Sequence, residues 1–341
     1  MITRRVILVI LCGILKITCG EKCTLFDKNN ANVPSDIFND IKDYANGGAL
    51  NKFFNVTGIE SVYNEFQSKR DNEDIHLNIT QLLTKYKYPV EQHQVLTSDG
   101  YLLTMFRIPN DGPAVFVMHG LFSNSDDFIT IGPDSGLAYL LADAGYDVWL
   151  GNARGNKHSR SHISLSPSCA EFWDFSWDEI GRYDLPAMID YILNATKQDQ
   201  LIYIGHSQGP DFSQINATAL PVIFGHTPAG VSTKQLVHYA QLINSNKFRQ
   251  FDYGLKNLAQ YGSVTPPDYN IEKITSPLAI FFGLNDWFNA IEDVNRLKRR
   301  LPNIYKFITV PYGSWSHVDY LFARDVKELL YIDVLNVIEE Y

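Results

Sequence analysis

Polar and apolar positions change their rhythm about a quarter of the way along the chain. From residue 76 onward, compact apolar runs alternate with segments of helical period. Two alternating stretches at 90–97 and 101–108 flank Ser98-Asp99-Gly100 and read as a β-hairpin with its turn. The runs at 114–118, 146–150, 201–204, 278–282 and 305–310 are short and almost uniformly apolar, the pattern of strands covered on both faces. Between them, apolar residues recur with helical spacing at 135–144, 184–197, 234–243, 290–300 and 324–340. Strands alternating with helices predict an α/β fold, a mostly parallel central sheet with helices on both faces. Residues 21–75 are more polar. There Ser35 would cap a short amphipathic helix carrying Ile37, Ile41 and Tyr44, closed by Gly47-Gly48, and a second helical stretch lies near 59–69. This part reads as an N-terminal extension, and 76–341 as the domain proper.

Residues 1–20 have a different texture. Arg4 and Arg5 precede the run VILVILCGIL, and Thr18-Cys19-Gly20 supplies small residues behind it. Charge, then apolar core, then small residues is the order of a secretory signal peptide, and the run is too short to span a bilayer. Four Asn-x-Thr triplets, at Asn55, Asn78, Asn194 and Asn216, become candidate glycosylation sites in an exported chain. The expected location is therefore extracellular, with the lysosome as alternative. Cleavage after Gly20 would leave Cys23 and Cys169, whose separation says nothing about pairing.

Composition narrows the function. Of 341 residues, 45% are hydrophobic and 20% charged, which excludes a disordered chain. The formal net charge of -9, with no basic tract, argues against nucleic acid as a partner. No cysteine pair has metal-ligand spacing, so a zinc site is not expected.

The chemistry sits where strands end. Gly205-x-Ser207-x-Gly209 directly follows the apolar run at 201–204. Glycines two positions either side of a serine permit a turn tight enough to lift its hydroxyl above the sheet. A serine hydroxyl becomes nucleophilic only when a base takes its proton and an acid orients that base. On such a fold the order is serine, acid, histidine. Asp286 follows the strand LAIFF, and His317 follows FITV as the only histidine after Asp286. Glu292 and Asp293 are rival acids, but they open the next helix and suit its N-terminal dipole. The backbone N–H groups of Leu121, just past AVFVM, and of Gln208, just past the serine, would form the oxyanion hole. His119 and His206 read as structural hydrogen-bonding groups beside the site, and Phe172, Trp173, Phe175 and Trp177 as core packing.

From about Leu83 the chain resembles the acid lipases of gastric and lysosomal type within the α/β-hydrolase superfamily. The resemblance rests on KYKYPVEQHQVLTSDGYLLTMFRIP, HGLFSNSDDF, LADAGYDVWLGNARGNKHSRSH, EFWDFSWDEIGRYDLPAMIDYIL, GHSQG, FGLNDW and HVDY. It implies hydrolysis of neutral lipid esters such as acylglycerols, at a lipid–water interface and without cofactor. It also implies the same triad of Ser207, Asp286 and His317, with Leu121 and Gln208 at the oxyanion positions. One departure stands out. In the family the elbow is followed by a helix, another central strand and a large cap, whereas here residues 210–226 alone fill that interval. The expectation is a sheet with a strand shortened or missing, a truncated cap and a more open pocket with weaker preference for long chains. A catalytically impaired, secreted binding protein is the alternative reading.

Overall fold

The structure is a computed structural model that describes residues 5–11 as backbone and residues 72–206, 219–286 and 289–341 in full. The signal-peptide cleavage region, the helices expected near 35–48 and 59–69, Cys23 and Asn55 lie outside the described residues.

The uniformly apolar runs form one sheet: β1 (Arg5–Leu11), β2 (Glu91–Leu96), β3 (Tyr101–Ile108), β4 (Ala114–Met118), β5 (Asp147–Leu150), β6 (Ser161–His162), β7 (Gln200–His206), β8 (Leu278–Phe282) and β9 (Ile304–Thr309). Their spatial order is β2-β3-β5-β4-β7-β1-β8-β9, with β6 on the flank of β3. The β2–β3 hairpin and the β3–β5 pair are antiparallel, and every pair from β5 through β9 is parallel. The hairpin turns at Gly100, whose φ of +99° and closeness to the His162 ring exclude a side chain.

Alternation along the strands separates two cores. Val115 and Val117 of β4 face one side, where they meet Leu82 and Leu83 of α1 (Ile79–Lys85), Leu137 and Leu141 of α2 (Leu137–Asp143), and the C-terminal helix. Ala114, Phe116 and Met118 face the other side, against Met188 and Ile192 of α3 (Leu185–Thr196). Further helices are α4 (Leu220–His226), α5 (Thr233–Ser245), α6 (Asn257–Tyr261), α7 (Ile291–Arg300), α8 (Asp319–Phe322) and α9 (Ile332–Glu340). The helical run expected over 324–340 is divided, with a π-helical stretch at Lys327–Tyr331 leading into α9.

The place expected to lack a strand is filled from elsewhere in the chain. The sheet has no gap beside the strand leading to Ser207. The place is taken by β1, which lies between β7 and β8 and runs parallel to both. Its register runs from Arg5 opposite Gln200 to Leu11 opposite His206, and from Leu8 opposite Leu278 to Leu11 opposite Phe281. Without a strand there, β7 and β8 would each turn an unpaired row of N–H and C=O groups toward the middle of the sheet. The apolar core of the leader-like segment supplies the missing partner. The interval in which a truncated cap is expected, 210–226, is described only from residue 219, and α4 begins after Ala219.

Candidate active site

Parallel strands bring their C-terminal ends to one edge of the sheet, and every residue singled out by the sequence follows such an end. β4 runs into His119-Gly120-Leu121, β7 stops at His206, and the loops after β8 and β9 carry Asp286 and His317. Those two loops are lashed together by Asn285 N–H donating to the Trp315 carbonyl (3.3 Å) and Asn285 Nδ2 to the Ser314 carbonyl (3.2 Å). Gly283 permits that approach, since a Cβ there would stand 2.5 Å from the Trp315 oxygen.

The result is a buried carboxylate–imidazole pair. His317 Nδ1 lies 3.0 Å and 3.1 Å from the two carboxylate oxygens of Asp286, and both residues are closed off from solvent. An Nδ1–H donated to the carboxylate leaves the lone pair of the neutral ring on Nε2, the tautomer a general base requires. The rivals fall elsewhere: Glu292 and Asp293 occupy the first turn of α7.

Asn289, which sequence reasoning passed over, completes the pair. Its Nδ2 donates to Asp286 Oδ2 (2.9 Å) and its backbone N–H to Asp286 Oδ1 (3.2 Å). The available signal was the Asp-x-x-Asn spacing, in which a carboxylate folds back on the backbone three residues on.

Ser207 and Gln208 lie outside the described residues, as do Asn216 and the loop between them. The residue before Ser207 is nevertheless tied to the imidazole loop. His206 Nε2 donates to the His317 carbonyl (3.2 Å), and the two rings are 5.5 Å apart between centroids. Burial, reinforced by repulsion from His317, pushes His206 down to about 3, so it is a neutral donor at working pH.

Leu121 sits in the turn after β4, and its neighbour Phe122 adopts φ +59°. The Phe122 carbonyl accepts from Ala229 N–H (2.8 Å), which fastens this turn to the segment after α4. His119 is likewise neutral, pushed down to about 4 by burial. Its Nδ1 donates to the Gly120 carbonyl (2.7 Å), while Nε2 accepts from Ala153 N–H (3.0 Å). Deeper in, Asp126 is buried and receives His158 Nε2, His226 Nδ1 and Lys157 Nζ, each at 2.7 Å. Burial would raise its pKa, but those charge-assisted hydrogen bonds win and hold it below the usual carboxylate range. Phe172 and Phe175 are fully buried against Tyr101, whereas Trp177 stacks on His238 at 4.1 Å between centroids. Asn78 caps α1 and Asn194 lies on α3, both exposed. Cys169 is exposed too. Among the described residues no group of three or more histidine, cysteine or acidic side chains could hold a metal, and no helix is long and apolar enough to cross a membrane.

Fold and strand-end chemistry together define an α/β-hydrolase. The family model described as the alpha/beta hydrolase fold matches residues 113–210, and the partial alpha/beta-hydrolase lipase region matches residues 79–132. Lipase 1 of Drosophila melanogaster is 34% identical, with 82% of this chain and 83% of that protein aligned. Human gastric triacylglycerol lipase is 30% identical over 78% of this chain and 92% of its own length. The lysosomal acid lipase/cholesteryl ester hydrolase of Macaca fascicularis is also 30% identical, over 79% and 92% respectively. The chain belongs to the acid lipase family of gastric and lysosomal type. The alignment with the fly protein runs over 366 positions yet takes in only 82% of these 341 residues, so that relative carries residues with no counterpart here.

Proposed function

We propose that this protein is a serine ester hydrolase that cleaves neutral lipid esters, acylglycerols first among them, through an acyl-enzyme on Ser207. The supporting observation is the Asp286–His317 pair at 3.0 Å, held through the His317 carbonyl against the residue that precedes Ser207. His317 Nε2 takes the Ser207 proton as the hydroxyl oxygen attacks the ester carbonyl. Asp286 stabilises the imidazolium that forms, and the N–H groups of Leu121 and Gln208 receive the oxyanion. The tetrahedral intermediate collapses, His317 gives its proton to the departing alcohol, and the acyl group remains on Ser207. Water then attacks with His317 again as base, releasing the fatty acid. No cofactor takes part.

Export belongs to the same proposal, to the extracellular space or the lysosome, on the leader pattern at 1–20 and the glycosylation candidates Asn55, Asn78, Asn194 and Asn216. A second reading follows from the unmatched positions of the relatives. With the cap reduced around 210–226, the scaffold could persist as a secreted binding protein whose serine does not react. A fluorophosphonate probe separates the two. Labelling and turnover of a soluble short-chain ester are expected for the native chain, with turnover falling roughly 10⁴- to 10⁶-fold in Ser207→Ala. Folded native protein that takes no label establishes the binding protein instead.

A further inference from the structure

The chain leaves α5 and returns to the same point. Arg249 pairs with Asp268 (2.9 Å), Gln250 N–H donates to the Pro267 carbonyl (3.0 Å), and Tyr269 N–H to the Phe248 carbonyl (2.9 Å). The intervening residues form a compact loop whose ends meet, with packing of its own. Phe251, Tyr253 and Tyr261 touch in sequence, at 4.9 Å and 5.9 Å between centroids, and Tyr261 Oη donates to the Phe251 carbonyl (2.8 Å). Asn257, almost wholly buried, donates to Asp252 Oδ1 (2.7 Å) and the Val264 carbonyl (3.0 Å) and accepts from Tyr253 N–H (2.8 Å). Gln241 of α5 bonds both the N–H and the carbonyl of Asp252, each at 2.8 Å.

A loop so well satisfied internally would ordinarily be expected to show water a polar face. This one does the reverse. Leu255 is 102% exposed, Val264 76% and Leu258 62%. Leu255 and Leu258 are spaced three apart across the start of α6 and so share a side of it. The tip from 254 to 264, GLKNLAQYGSV, holds no acid at all in a chain of net charge -9, and Lys256 is its only charge. A rigid, acid-free surface that spends three aliphatic side chains on water suits an apolar phase bounded by neutral or phosphate-bearing headgroups.

We propose that the 254–264 tip is the protein's anchor on a lipid–water surface, with Leu255, Leu258 and Val264 entering the lipid. This rests on the lipid-ester reading, and it places contact with bulk lipid on the loop between α5 and β8. The probe is a trioleoylglycerol emulsion stabilised by phosphatidylcholine. Native protein is expected to float with the emulsion on centrifugation. The Leu255→Ser/Leu258→Ser/Val264→Ser variant should lose on the order of 100-fold or more in partition, each aliphatic side chain contributing roughly tenfold. Turnover of a soluble short-chain ester and probe labelling should stay unchanged in that variant, because all three side chains stand exposed to solvent. Should the triple variant fail to fold, Leu255→Asp decides, since a fully exposed side chain supports no packing. Undiminished emulsion binding in either variant overturns the proposal. So does dissociation of a dimer by the substitutions without loss of emulsion binding, which would make the face a contact with a second copy. Native protein that binds the emulsion but never labels would leave the anchor standing and remove the hydrolase reading.

Discussion

At the scale of single residues, His317 can serve as a base only while Asp286 keeps its proton on Nδ1, and Asn289 holds Asp286 there through two hydrogen bonds. Among the described residues Asn289 acts on the imidazole through the carboxylate of Asp286. Asn289→Leu, close in volume but without the amide donor, is expected to lower kcat roughly 10- to 100-fold, the worth of a hydrogen bond to a charged group. KM for a soluble ester should hardly change. Asn289→Asp goes further, because a second carboxylate beside the pair favours the imidazolium. The acid limb of kcat/KM against pH should therefore move to higher pH. A residue that merely supported the fold would leave that limb in place. Ser207 lies outside the described residues, while the pairing of Asp286 with His317 was legible in the sequence because the fold dictates their order along the chain. Asn289 was not, since an Asx turn looks alike whether it steadies a loop or a proton. The His206–His317 contact was not legible either, because it joins residues 111 apart.

At the scale of elements, β1 carries the clearest lesson. Most of the sheet was legible: β4 and β8 span the predicted 114–118 and 278–282, and β7 and β9 lie within two residues of expectation at either end. The period of the apolar runs suffices for that. The segment at 6–15 was read as a leader because a signal-peptide core and a strand covered on both faces share one composition, and only the surroundings separate them. A cleaved leader cannot also be β1, so the proposed export requires either that the segment stays in the sheet uncleaved or that β7 and β8 close by other means. Cleavage after Gly20 removes β1 and opens the facing edges of β7 and β8, with backbone groups left unpaired at about 1–3 kcal/mol each. A chain beginning at Glu21 is therefore expected to melt at least about 10 °C below the full chain, taking roughly 2–4 °C per kcal/mol, or to be recovered unfolded. Thermal unfolding of the two chains side by side makes the test. Equal melting temperatures would mean that the sheet closes by other means once the leader is gone.

For the whole molecule, the buried histidines set how stability depends on pH. His206 and His119 titrate near 3 and 4 when folded, against 6.5 for an ordinary histidine. Above pH 6.5 both are neutral in the folded and unfolded chains alike, and their contribution to stability is fully present. As pH falls below 6.5 the unfolded chain takes up two protons that the folded chain refuses. Stability is lost at up to about 1.4 kcal/mol per pH unit for each histidine, until the folded values are reached. Asp184 acts in the opposite sense. Burial pushes it up to about 6 against the pull of Arg154, so from there down to its ordinary range the folded chain holds a proton that the unfolded chain lacks. It offsets about one of the two histidines, while His238, also pushed down by burial, acts in their sense, so the net expectation between pH 6 and 4 is a fall in stability. His206→Gln keeps an N–H donor for the His317 carbonyl and removes the titration. Chemical denaturation across that range should then give a shallower fall for the variant than for the native chain, by up to about 1.4 kcal/mol per pH unit, and matching slopes would refute the assignment.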